Sequence, residues 1–218
     1  MMNLYKFYSK PAELSGAKEK KYFPWVAYEQ ARKGKKLDAR QLAAIASDPK
    51  YAFYYAKDII RKRWSEAEAA IASDPKYAYS YARHVIKGRW PEGEDIIASN
   101  PGYAFYYAFD LVKKRWPKAE AAIASDPEYA YYYARDMVKD RWPQGEAAIA
   151  SNPQFAFLYS YSIIKDRWPE AEATIAKSPY YACRYAIDII RGRWPSGEAA
   201  ITKDHACEYE EFLNSLRK

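Results

Sequence analysis

Few residues of this chain could do chemistry on their own. His84 and His205 are its two imidazoles, and Cys183 and Cys207 its two thiols. Their spacing matches no zinc, redox or nucleophile–base pattern, and both cysteines read as reduced thiols. His84 occupies a slot that is aspartate in most sister segments, and His205 replaces a junction proline, so both read as variants of a repeated pattern. No glycine-rich phosphate loop occurs, and no carboxylate pair stands apart from repetition. The sequence predicts no catalytic residue, no metal and no cofactor, hence a protein that is not an enzyme. The chemistry left is that of arginine, which recognises anions in bidentate fashion, and of tyrosine, which presents an apolar ring with a polar tip.

Both types recur on a fixed period. Trp64, Trp90, Trp116, Trp142, Trp168 and Trp194 are 26 residues apart. The clearest copy, from Trp116 to Arg141, reads WPKAEAAIASDPEYAYYYARDMVKDR. With a partial unit before Trp64 and a degraded one after Trp194, seven units begin near residues 38, 64, 90, 116, 142, 168 and 194. Such a period predicts one stacked body, because each unit buries its apolar face only against its neighbours. The expected division is a basic aromatic segment over 1–37 and a repeat array over 38–218.

Each unit reads as two helices. The first opens at Trp-Pro, with proline already set for the first helical position. Acids such as Glu92 and Glu94 lie at its positive end, and repeated acids of this kind read as solvated helix faces. Asp74, Asn100, Asp126, Asn152 and Ser178, each followed by proline, are the expected caps of the second helix, for example Pro75 to Lys87. Gly88 and Gly192 read as helix stops in two copies. On a helical wheel Ala78, Ala82, Val85 and Ile86 form the buried face, with Tyr79 and Tyr81 at its flanks and their hydroxyls expected to reach water.

The opposite face supplies the candidate site. One row holds Tyr54, Ser80, Tyr106, Tyr132, Leu158 and Arg184. These side chains either pack against the adjacent unit or form a stripe for a partner. A second row alternates, with Arg83 and Arg135 where intervening units carry Phe109 and Tyr161. The alternation extends to Ala67/Gly93 and Tyr79/Phe105, so a 52-residue superunit is present. Duplication of a two-unit ancestor explains it, as would a contact made by Phe109 and Tyr161 alone. The candidate partner-binding set is therefore Tyr54, Tyr106, Tyr132, Leu158, Arg83, Arg135, Phe109 and Tyr161. A further ladder, the arginine before every tryptophan from Arg63 to Arg193, reads as capping helix ends or pairing with a nearby acid, with phosphate binding as the alternative.

Net charge is +7, but residues 1–37 hold nine of the 35 basic and three of the 28 acidic residues, a balance of +6. The array is close to neutral, which weighs against a phosphate-binding trough along its length. In the first segment Lys18, Lys20, Lys21, Arg32, Lys33, Lys35 and Lys36 flank Tyr22, Phe23, Trp25 and Tyr28. A helix is expected from Pro24 or Trp25 to Gly34, acting as an end cap or as a basic arm for nucleic acid or an acidic partner.

Helical hairpins with small residues at their contacts resemble α-solenoids of the HEAT and TPR kind, although the unit is shorter. The WPEAEATIA and YAYYYARD stretches also resemble tandem repeats of uncharacterised phage and bacterial proteins. The expected fold is all-α, a right-handed solenoid of helical hairpins with an N-terminal cap. The expected function is a cytoplasmic, non-enzymatic scaffold that docks a protein. The phage resemblance implies a host factor as partner, including defence or nucleic-acid-processing proteins. Single-stranded nucleic-acid binding by tyrosine stacking, and a structural homo-oligomer, are the alternatives. No apolar stretch is long enough for a membrane span.

Overall fold

A computed structural model describes residues 22–201 and 203–216, with backbone alone over 203–207. Lys18, Lys20 and Lys21 lie outside the described residues, as do the side chains of His205 and Cys207. Regular structure among the described residues is entirely helical. Helix α1 (Pro24–Arg32) precedes a first hairpin of α2 (Ala39–Ala46) and α3 (Pro49–Tyr54). The next hairpins are α4 (Ser65–Ile71) with α5 (Pro75–Tyr81) and α6 (Glu94–Ala98) with α7 (Pro101–Tyr107). Then come α8 (Pro117–Ile123) with α9 (Pro127–Tyr133), and α10 (Pro143–Ala150) with α11 (Pro153–Tyr159). The last are α12 (Pro169–Ile175) with α13 (Pro179–Tyr185), and α14 (Pro195–Glu198) with α15 (Lys203–Ser215). Second helices touch their counterparts one unit on, from α3–α5 to α13–α15, so the body is an α-solenoid.

The caps follow from the sequence. Asp74, Asn100, Asp126 and Asn152 accept hydrogen bonds from first-turn backbone N–H groups, with proline next in line. Ser178 has the same extended backbone but makes no side-chain cap bond. The core is a column of small and branched residues. Ile45, Ile71, Ile97, Ile123, Ile149 and Ile175 from first helices are fully buried against alanines such as Ala78, Ala104 and Ala130 from second helices. Small residues let the second helices approach closely, and the isoleucines fill the space between them.

Each second helix ends in a way the sequence did not announce. Its last turn widens to π geometry, for instance Ala108–Val112 and Ala134–Val138. The N–H groups of Lys113, Lys139 and Lys165 donate to the carbonyls of Ala108, Ala134 and Ser160, five residues back, at 2.7 Å. The chain then turns through one left-handed residue, at Arg61, Lys87, Lys113, Lys139, Lys165 and Arg191, with φ between 53° and 61°. This position usually belongs to glycine. Gly88 and Gly192 follow the left-handed residue and do not supply the turn.

One part of the 52-residue superperiod, the alanine–glycine alternation, lies against the tryptophans. A Cβ on Gly93 would lie 2.4 Å from the Trp90 ring, and on Gly145 2.5 Å from that of Trp142. In the other units buried Ala67, Ala119 and Ala171 take the slot. The indole therefore sits against bare backbone in every second unit.

Candidate interaction face

Two aromatic systems run along the solenoid, one internal and one at the surface. The internal one starts from the tryptophans. Each is the N-cap of a first helix and has no side-chain cap of its own. Its backbone N–H instead donates to a tyrosine hydroxyl of the same unit, from Trp64 to Tyr81 through Trp168 to Tyr185, at 2.7–2.8 Å. In the last unit Trp194 donates to Tyr209 at 3.0 Å.

The same hydroxyl donates onward to a glutamate four residues after the tryptophan, as Tyr133 does to Glu120 at 3.0 Å. The arginine before the tryptophan closes the node. Arg115 Nε and Nη2 each reach Glu120 at 2.8 Å. Nodes of this form occur from Arg63–Glu68 to Arg193–Glu198. The tyrosine ring also lies 4.8–5.1 Å from the next unit's tryptophan, so one side chain joins two repeats.

Electrostatics fit this arrangement. The arginine bond holds the Glu68, Glu120 and Glu146 carboxyls below the usual carboxylate range, against the opposing effect of burial. Burial pushes the Tyr107, Tyr133 and Tyr185 phenols up to about 12, with the adjacent glutamates acting in the same direction.

Two sequence expectations differ from the structure. Tyr81 and its counterparts are buried and their hydroxyls do not reach water. Glu94 and Glu120 are buried node members, not solvated helix acids. The arginine ladder pairs with these glutamates, the second of its two structural readings. The signal lay in the sequence as arginine, glutamate and tyrosine at fixed offsets from each tryptophan, but no offset shows which way a hydroxyl points.

The second system is formed by the outward side of the second helices. Tyr54 and Tyr132 are half-buried and meet the next unit edge-on, Tyr54 against Tyr77 and Tyr132 against Phe155. Leu158 is likewise half-buried. This row is shared between inter-unit packing and surface. Tyr106 touches Tyr129 yet stays 43% exposed. Phe109 and Tyr161 are more open, at 49% and 56%, each stacked on the phenylalanine one turn earlier, Phe105 and Phe157. Within this chain they are exposed, so no intramolecular burial accounts for them.

Arg83 and Arg135 occupy the same column. Arg83 pairs with Asp110 of the next unit at 2.6 Å, and Tyr79 donates to that same carboxylate. Arg135 pairs with its neighbour Asp136 and lies 4.9 Å over the Tyr132 ring. Alternate units thus present a cation held over tyrosines and then a bare aromatic.

At the N-terminal end α1 packs beside α3 as one second helix packs on the next. Tyr28 donates to Asp58 at 3.0 Å, which parallels Tyr79 and Asp110. A 690 Å³ groove between them is lined by Trp25, Tyr28, Glu29 and Arg32 with Lys50, Tyr51, Tyr54 and Asp58. Phe23 and Trp25, at the start of α1, are more than half exposed. Arg32 pairs with Glu29, while Lys33, Lys35 and Lys36 are exposed in the following loop.

Among the described residues no group of His, Cys, Asp or Glu could hold a metal, and no helix is long and apolar enough to cross a membrane. Comparison with protein-family models, curated proteins and solved structures finds no match.

Proposed function

We propose that this chain is a non-enzymatic interaction scaffold whose outward second-helix face docks a protein. The observation that carries the reading is the column of Phe109 and Tyr161, large aromatics half exposed and flanked by Arg83 and Arg135. Tryptophan, tyrosine and arginine are enriched at the energetic centres of protein interfaces, and an aromatic ring buries much area at little entropic cost. The internal nodes hold the scaffold rigid, so the face is preorganised and loses little freedom on docking. The resemblance to phage repeats makes a host protein the first class of partner to test.

The test is a tagged pull-down from native extract, with and without nuclease, comparing wild type with a Phe109→Arg/Tyr161→Arg double variant. The expected result is a protein that survives nuclease and is lost from the variant, which keeps its helical circular dichroism. A partner retained by the folded variant refutes this face as the docking site.

A further inference from the structure

The array's near-neutral charge conceals an uneven placement. Arginines that could meet an anion are mostly engaged: the six that precede tryptophans bind glutamates, and Arg83, Arg135 and Arg184 bind acids. The left-handed residues Arg61, Lys87, Lys113, Lys139, Lys165 and Arg191 are different. All are exposed, and among the described residues none makes an ion pair. Because they end equivalent helices, they lie along one edge of the solenoid, one per unit.

A left-handed conformation costs a non-glycine residue about 1 kcal/mol or more, and glycine or asparagine removes much of that cost. All six units nevertheless keep a long cation there. Favourable interaction with the helix C-terminus offsets part of the strain, but would not by itself exclude glycine from every copy.

The edge is most basic at its N-terminal end. Lys62 and Lys114 double the charge in two loops, whereas Asp140 and Asp166 follow the lysine in later ones. Tyr28 meets Asp58 as Tyr79 meets Asp110, so α1 stands where a preceding second helix would. It too is followed by a left-handed residue, Gly34, and by that equivalence the loop of Lys33, Lys35 and Lys36 falls at the same edge. Eight exposed cations thus occupy four successive loops. The nearest acids in sequence are engaged elsewhere: Asp38 caps α2, Asp58 accepts from Tyr28 and Asp110 pairs with Arg83. Glu66 and Glu92 belong to the first turns of the following helices, and Arg63 lies 3.8 Å from Glu92. Successive loops border common space, as where Lys139 and Lys165 line one 610 Å³ notch.

We infer that this loop edge, from Lys33 to Lys114, binds the phosphodiester backbone of a single nucleic-acid strand. Loops about 10 Å apart make a cationic line about 30 Å long, which suits one strand tracked in single file. An acidic membrane surface fits less well, since Trp90 and Trp116 beside two of these loops are buried, and Leu37 and Trp64 beside the other two pack against the core. This site is separate from the aromatic face and does not depend on the protein-docking reading.

The left-handed geometry supplies a clean test. Arg61→Gly, Lys87→Gly and Lys113→Gly delete cations while relieving the backbone, so the triple variant folds with an unchanged or raised melting temperature. Binding of labelled 20-nucleotide oligo-dT and oligo-rU to the full chain is measured by fluorescence anisotropy across a salt series. Wild type is expected to bind with a log–log salt slope of at most about −5, and the triple variant to bind at least tenfold more weakly with a slope shallower by about 2. Absent binding at low salt, or equal affinity and slope in the variant, overturns the inference. Anionic vesicles binding in preference to either oligonucleotide would also overturn it.

Discussion

The node at Tyr133 allows a sharp test of what holds the repeats together. Tyr133→Phe keeps the ring, which lies 4.9 Å from Trp142, and deletes only the hydroxyl. Two bonds go with it: the Trp116 N–H loses its acceptor, and Glu120, 5% exposed, loses one donor while keeping Arg115. An orphaned buried N–H costs about 1–3 kcal/mol, and a hydrogen bond to a charged carboxylate contributes about 1.5–3 kcal/mol. Because Arg115 still covers the carboxylate, the two losses overlap, and about 2–4 kcal/mol of destabilisation is expected.

Urea unfolding followed by circular dichroism reads this as a midpoint lowered by roughly 1–2 M. Hydrogen exchange should localise it to the Trp116 amide and its neighbours. Tyr55→Phe is the control. Its ring packs 4.9 Å from Trp64 in the same manner. The first unit has Asp38 where a tryptophan would stand, and among the described residues the Tyr55 hydroxyl makes no hydrogen bond. A change within about 0.5 kcal/mol is expected there. Equal effects of the two substitutions would show that ring packing alone stabilises the ladder and that the node hydrogen bonds do not.

Other consequences can be measured in the same assays. Gly145→Ala drives a Cβ into the Trp142 ring and should cost about 1–3 kcal/mol, whereas a neutral result would mean the indole moves aside freely. Gly88→Ala, at a position with open space around its Cβ and no left-handed backbone, should leave the melting temperature nearly unchanged; a large drop would return the helix stop to the glycine. Stability should also be bounded in pH. Glu68, Glu120, Glu146 and Glu198 have depressed folded-state values, so their contribution is full above an unfolded value of about 4.3 and is lost as pH falls through the folded value. Tyr107, Tyr133 and Tyr185 are raised to about 12, so theirs is full below about 10 and is lost as pH rises towards 12. Thermal melts across pH, read with tyrosinate absorbance, should plateau between these limits; a maximum on the acid side of pH 4 would contradict the assignment.

Sequence alone determined the repeat, the helical hairpin and most caps, because each rests on local rules. An Asp-Pro or Asn-Pro step favours a helix start, because the side chain caps and the proline fits the first helical position, and a strict tryptophan period implies stacked neighbours. It also identified the outward rows, since a wheel separates Ala78 and Ala82 from Tyr106 and Phe109 without knowledge of the neighbours. What each polar tip does depends on how the units pack. Tyr81 was legible as a flank of the core, but its hydroxyl finds Trp64 and Glu68 only once the hairpin closes across 17 and 13 residues. The left-handed lysines were equally hidden: nothing in the string Val-Lys-Asp distinguishes a π turn from an α turn, and the glycine at position 88 pointed to the wrong residue. Composition likewise gave a neutral array, because a count of charges does not show which of them have partners. Hydrogen bonds and ion pairs depend on distances between elements, and those distances are set by how the units stack.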